Sequence, residues 1–69
     1  MIKELREKKH YTQEKMAKFL KISVRHYVRI DTEKVMPRAD IFRDLVKYLE
    51  MTPKQIDQFI LNVIDNKTK

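Results

Sequence analysis

Residues 13–32 read QEKMAKFLKISVRHYVRIDT. The stretch divides into two short helical patterns with a tight corner at Leu20–Ser23. Met16 and Leu20 lie four residues apart with Ala17 and Phe19 beside them, the period of a helix with one buried face. Ala17 is small and sits in mid-helix, which lets a second helix cross closely at a sharp corner. Ser23 stands where a hydroxyl can cap a following helix, which runs to about Asp31. That helix carries Val24, Arg25, His26, Val28 and Arg29 around a thin seam of Tyr27 and Ile30, with Ile22 also facing inward. It has too little apolar surface for an ordinary core helix and a strongly basic remainder, as expected of a helix that enters a DNA groove.

Working outward, Ile2 and Leu5 are one helical turn apart among charged residues. They give a first helix with a narrow buried stripe that ends near His10–Tyr11. Thr12 directly precedes the next periodic segment and is its N-cap, although Lys15 stands where a capping box needs an acid or glutamine. After the opening stretch, Thr32–Arg38 is a polar loop closed by Pro37. A fourth helix over Ala39–Leu49 places Ile41, Leu45, Tyr48 and Leu49 on one side, widened by Phe42 and Val46. Thr52-Pro53-Lys54-Gln55 combines a capping box with proline at the first helical position, opening a fifth helix to about Asn62 or Ile64. Asp65–Lys69 is expected to fray. The expected fold is all-α, five helices in a single domain over residues 1–69, without repeats or a linker.

With 69 residues, the chain buries only about 60% of the surface its unfolded form exposes. A hydrophobic share of 42% is enough for a core and argues against disorder. No cysteine is present, so neither disulfides nor thiolate metal sites hold the fold. The start, MIKELREKK, lacks the apolar segment of a secretory signal, and no apolar run spans a bilayer, so a cytoplasmic protein is expected. Net charge is +6, and its distribution is informative. Residues 1–31 carry nine Lys/Arg against four Asp/Glu, whereas residues 32–69 carry seven against six. The surplus lies in the half that contains the opening stretch, which favours a polyanionic partner there.

Taken in order, TQEKMAKFLKIS-VRHYVRID, a loop with Pro37 and then DLVKYLEMTPKQI resemble the lambda-repressor/Cro-like helix-turn-helix domains of phage repressors and bacterial regulators. The resemblance covers residues 2 to about 60 and rests on the combination rather than on one motif. It implies a DNA-binding transcriptional regulator acting on double-stranded DNA. It places Gln13 where such domains touch a phosphate, in keeping with the partial positive charge of a helix N-terminus. Val24, Arg25, Val28 and Arg29 fall where the recognition helix meets base edges or the groove wall, and Thr32 and Lys34 in the loop that grips the backbone. Ser23 and His26 belong to the same face, His26 as a polar groove or backbone contact. The sequence departs from the family pattern at Lys21 and Glu33, where glycine is frequent, and at Tyr27, where an aliphatic residue is usual.

Arg25 is the second residue after the Ser23 cap, where helix side chains point at base edges. Its guanidinium can donate twice to guanine, or it can sit on a phosphate. Val24 packs on a thymine methyl or covers the corner, and Arg29 reaches bases or, preferentially, the far backbone. His10 and His26 are sixteen residues apart with no third ligand at metal spacing, so no metal and no cofactor is expected. No nucleophile–base pair or glycine loop supports catalysis, and Ser23, the only serine, is accounted for by its cap.

Ile56, Phe59, Ile60 and Val63 form a helical stripe with Leu61 and Ile64 beside it. This is more apolar surface than a small core needs, and the surplus is expected to make a homodimer reading a palindromic operator. The alternative is a protein-interaction module, such as an antitoxin or adaptor, using the same stripe. Architectural, non-specific nucleic-acid binding is a third possibility.

Overall fold

In the computed structural model, which describes residues 1–68, the chain forms five helices, with no strand among the described residues. They are α1 (Ile2–Lys8), α2 (Gln13–Leu20), α3 (Val24–Asp31), α4 (Ala39–Leu49) and α5 (Pro53–Thr68).

Local chemistry starts three of them. The Thr12 hydroxyl accepts from Lys15 N at 3.0 Å and the Ser23 hydroxyl from His26 N at 3.0 Å, each satisfying one of the N–H groups a helix leaves free. Thr52 and Gln55 form a reciprocal box: Thr52 N donates to Gln55 Oε1 at 2.9 Å and Gln55 N to Thr52 Oγ1 at 3.2 Å.

One device ends the first four. His10, Lys21, Glu33 and Glu50 all have φ between 51° and 60°, the left-handed region. Around each, the same two bonds recur. At the α2 corner, Ile22 N donates to Ala17 O at 3.0 Å and Lys21 N to Lys18 O at 3.2 Å. Tyr11/His10, Lys34/Glu33 and Met51/Glu50 repeat this on Arg6/Glu7, Arg29/Ile30 and Val46/Lys47. This is the Schellman closure, which usually employs glycine. Left-handed backbone costs an L-residue about 1–2 kcal/mol, and here four non-glycine residues adopt it in a chain that contains no glycine.

The core draws on every helix. Ile2, Met16, Ala17, Leu20, Tyr27, Ile30, Ile41, Leu45, Leu49, Phe59 and Val63 are buried, together with Met51 from the α4–α5 turn. Ala17 is buried on α2, which packs against α3. Half-buried aromatics cover one side, with Phe19 stacked on Tyr48 at 4.6 Å and Tyr11 edge-on to Phe19 at 5.2 Å.

Three expectations need correction. α1 ends at Lys8, and Lys9–His10 is already the turn. α5 does not stop at Asn62 or Ile64 but continues to Thr68. Its later turns are secured from outside the helix, since the Asn66 side-chain amide donates to Glu33 O at 2.7 Å and Asn62 Nδ2 to Glu33 Oε1 at 2.8 Å. Asp65, Asn66, Lys67 and Thr68 are therefore helical rather than frayed, while Lys69 lies outside the described residues. Finally, Phe59 and Val63 are 0% and 1% exposed and belong to the chain's own core, leaving no surface for a second copy. Ile56 and Ile60 are half-buried, and the apolar side chains that α5 shows to solvent are Leu61 (59%) and Ile64 (51%).

Candidate nucleic-acid interface

α3 has two chemically opposite sides. Tyr27, Ile30 and Asp31 are buried, whereas Val24, Arg25 and Arg29 are exposed and His26 and Val28 lie half-buried between them. The Ser23 cap and the Lys21 corner present the first turn of the helix outward, so Val24, at 40% exposure, and Arg25 stand at its leading end.

Among the described residues, no ion pair or side-chain hydrogen bond engages Arg25, Arg29 or Lys34, nor Lys18 and Lys21 on the neighbouring helix end. Lys15 lies 5.9 Å from the Tyr11 ring. Most acids have partners elsewhere, including Glu50 with Lys9, Asp40 with Arg38, Asp44 with Arg43, and Glu4 and Glu33 with the Met1 ammonium. Charge compensation is thus concentrated away from the exposed side of α3, whose cations keep their field for a polyanion.

The carboxylate of Asp31 fixes the buried side. Arg6 Nε donates to Oδ1 at 2.9 Å and Arg6 Nη2 to Oδ2 at 3.3 Å. Tyr27 OH donates to Oδ1 at 3.0 Å and Gln13 Nε2 to Oδ2 at 3.2 Å. Arg6 uses a further N–H on Tyr11 O at 2.8 Å, so one guanidinium links α1, α3 and the α1–α2 turn. Among the described residues, no buried side-chain polar atom lacks a partner, so the network is fully satisfied, the condition under which buried charge is tolerable. Hydrogen bonding to Asp31 raises the Arg6 guanidinium above its ordinary value against the opposing effect of burial. Burial first, and then the charge of Asp31, push the Tyr27 phenol far above its ordinary value of 10.0, keeping it a neutral donor.

Gln13 is half-buried at the start of α2, its amide turned to Asp31. Ser23 is engaged as a cap. Thr32 is exposed, but its hydroxyl donates back to Val28 O at 2.8 Å and offers no donor outward in this conformation. Lys34 projects free from the loop after α3. The arrangement therefore gathers Val24, Arg25, Val28, Arg29 and Lys34 around one helix and its following loop, with Gln13 tied to that helix from behind. Ile56, Phe59, Ile60 and Val63 take no part in it.

Among the described residues, no group of three or more His, Cys, Asp or Glu side chains is placed to hold a metal ion, and no helix is long and apolar enough to cross a membrane.

A helix capped by serine, packed against the preceding helix and presenting its basic side outward, is the geometry of a helix-turn-helix reading head. Compared with known families, residues 1–64 match the one described as Helix-turn-helix domain. The chain belongs to that family, in its XRE/Cro-like type. Membership implies DNA binding, and the family is typically non-enzymatic. No curated protein and no solved structure matches the chain.

Sequence reasoning missed the Arg6–Asp31 pair. Its signal was Arg6 on the Ile2 stripe and an acid one turn after Tyr27. It also missed the Glu33–Asn62–Asn66 junction, whose partners are about thirty residues apart and carry no local pattern.

Proposed function

We propose that this protein is a sequence-specific DNA-binding transcriptional regulator, a small repressor of the phage or mobile-element type that acts in the cytoplasm by occupying an operator. The observation that carries the reading is the two-sidedness of α3. Its buried side is anchored at Tyr27, Ile30 and Asp31, and its free side offers Val24, Arg25 and Arg29 without internal partners. A rigidly held helix with unengaged donors at its leading end suits major-groove reading, where an arginine fork on guanine is worth about 1–3 kcal/mol of discrimination.

In this reading Arg25 contacts base edges, Val24 meets a thymine methyl, and Val28 and His26 line the groove. Arg29, Lys34 and Gln13 hold the backbone, with Thr32 beside them, and Ser23 sets the angle of entry. Leu61 and Ile64 support a homodimer through α5, which would place two α3 helices about 34 Å apart on a palindrome. The same exposed pair is what an antitoxin or adaptor would use, and a native mass showing a heteromer with a neighbouring gene product would favour that alternative.

Selection of bound duplexes from a random pool tests the proposal. A recovered palindromic consensus is expected, with Arg25→Ala losing discrimination between that site and random DNA. Recovery without a consensus would point to architectural binding instead, and unchanged discrimination by Arg25→Ala would remove its base-reading role.

A further inference from the structure

Gln13 and Asp31 lie at opposite ends of the helix-turn-helix, yet their side chains meet at 3.2 Å. A glutamine amide carries two N–H donors on one nitrogen. Asp31 takes one of them, so the amide is held with its nitrogen inward and its second N–H free for another acceptor. Asp31 is itself immobilised by three other donors, two from Arg6 and one from Tyr27. The arrangement is electrostatically consistent with an anion outside. Arg6 neutralises the Asp31 carboxylate, and Gln13, being neutral, separates that carboxylate from any phosphate above it.

We infer that Asp31, held by Arg6 and Tyr27, is a positioning residue that orients Gln13 for a DNA phosphate. The docking of α2 on the backbone is thereby tied to the end of α3. This rests on the DNA-binding reading above. Asp31 is buried and touches no DNA. It acts by presenting the second amide hydrogen of Gln13 in a fixed direction, so the phosphate bond forms without ordering a free side chain.

A double-mutant cycle on DNA affinity is the test, using a duplex selected from a random pool and the variants Gln13→Met, Asp31→Asn and the two combined. A hydrogen bond to a charged group is worth enough that Gln13→Met should weaken binding about 10-fold. Asp31→Asn should weaken it to a similar extent. The double variant should be within about 2-fold of Gln13→Met, because the effect of Asp31 passes through Gln13. Since Gln13 is neutral, the salt dependence of binding should be the same in all four proteins.

Losses that multiply to about 100-fold, wild-type affinity in Asp31→Asn, or a changed salt slope would overturn the inference. Should Asp31→Asn not fold, the wild-type Gln13 side-chain amide decides. An order parameter near that of rigid backbone, about 0.85, supports the hold, and one below about 0.6 excludes it. A wild-type chain that bound no duplex would defeat the DNA-binding reading itself, a result distinct from additivity in the cycle.

Discussion

Tyr27 OH donates to Asp31 Oδ1 at 3.0 Å, one turn further along the same helix, and both side chains are buried. Tyr27→Phe keeps the ring packing but removes one donor from a buried carboxylate. It should cost about 1–3 kcal/mol in urea unfolding at pH 7. A loss below about 0.5 kcal/mol would mean that the remaining donors satisfy Asp31 unaided.

The same phenol gives a pH dependence with a definite sign. Its folded value lies above the unfolded 10.0, because burial and then the Asp31 charge disfavour the phenolate. Below 10 the group is neutral in both states and has no effect. As pH rises above 10, the unfolded chain releases this proton and the folded one does not, so stability falls by up to about 1.4 kcal/mol per pH unit. Denaturation midpoints from pH 8 to 11 should drop more steeply for wild type than for Tyr27→Phe. Parallel curves would show that Tyr27 titrates alike in both states.

Glu33 joins the exit of α3 to α5 by accepting from Asn62 through its carboxylate and from Asn66 through its carbonyl. Asn62→Ala should destabilise by about 1–2 kcal/mol, as a bond to a charged acceptor is removed. Hydrogen exchange should accelerate in the last turns of α5 while α2 and α3 keep their protection. Equal acceleration throughout would show that α5 does not open separately.

On the exposed side of α5, Leu61→Asp combined with Ile64→Asp should leave the fold intact, because both side chains face solvent. If these residues pair two copies, the double variant should sediment as a monomer where wild type is a dimer. Phe59→Ala is the contrasting control, costing about 3–5 kcal/mol of stability through a core cavity. A wild-type monomer at micromolar concentration would remove the dimer proposal and leave the DNA face untouched.

Lys21 holds φ 57° at the α2–α3 corner with an exposed side chain. Lys21→Gly relieves left-handed strain but adds freedom to the unfolded chain. The balance should favour the variant by roughly 0.5–1 kcal/mol in thermal unfolding. Destabilisation would show that the lysine stem contributes packing that outweighs the strain.

Features encoded within one turn of chain were legible before any coordinates. Thr12, Ser23 and the Thr52/Gln55 box announce their helices because cap and capped group are three residues apart. The burial of Ala17 and the basic side of α3 are legible from the helical period and the Ser23 cap. What needed the structure was set by distant partners. Arg6 reads as a surface charge until Asp31, 25 residues on, is found against it. Six large apolar residues of α5 surround much of the helix, so periodicity cannot say which meet the core. Packing against Phe42, 5.5 Å from Phe59 ring to ring, makes that choice. The end of α5 is not legible in the helix's own residues, because Glu33, about thirty residues away, supports its last turns.

Lys21 turns the chain by backbone conformation, and Tyr27, Ile30 and Asp31 clamp α3 from beneath, so the pose of the helix does not depend on the exposed side chains of Val24, Arg25 and Arg29. The surface proposed to read DNA is therefore modular. Val24, Arg25 and Arg29 can be exchanged as a group without altering the framework that aims them. A chain built this way can acquire a new target by changing a few outward residues while its architecture stays as it was.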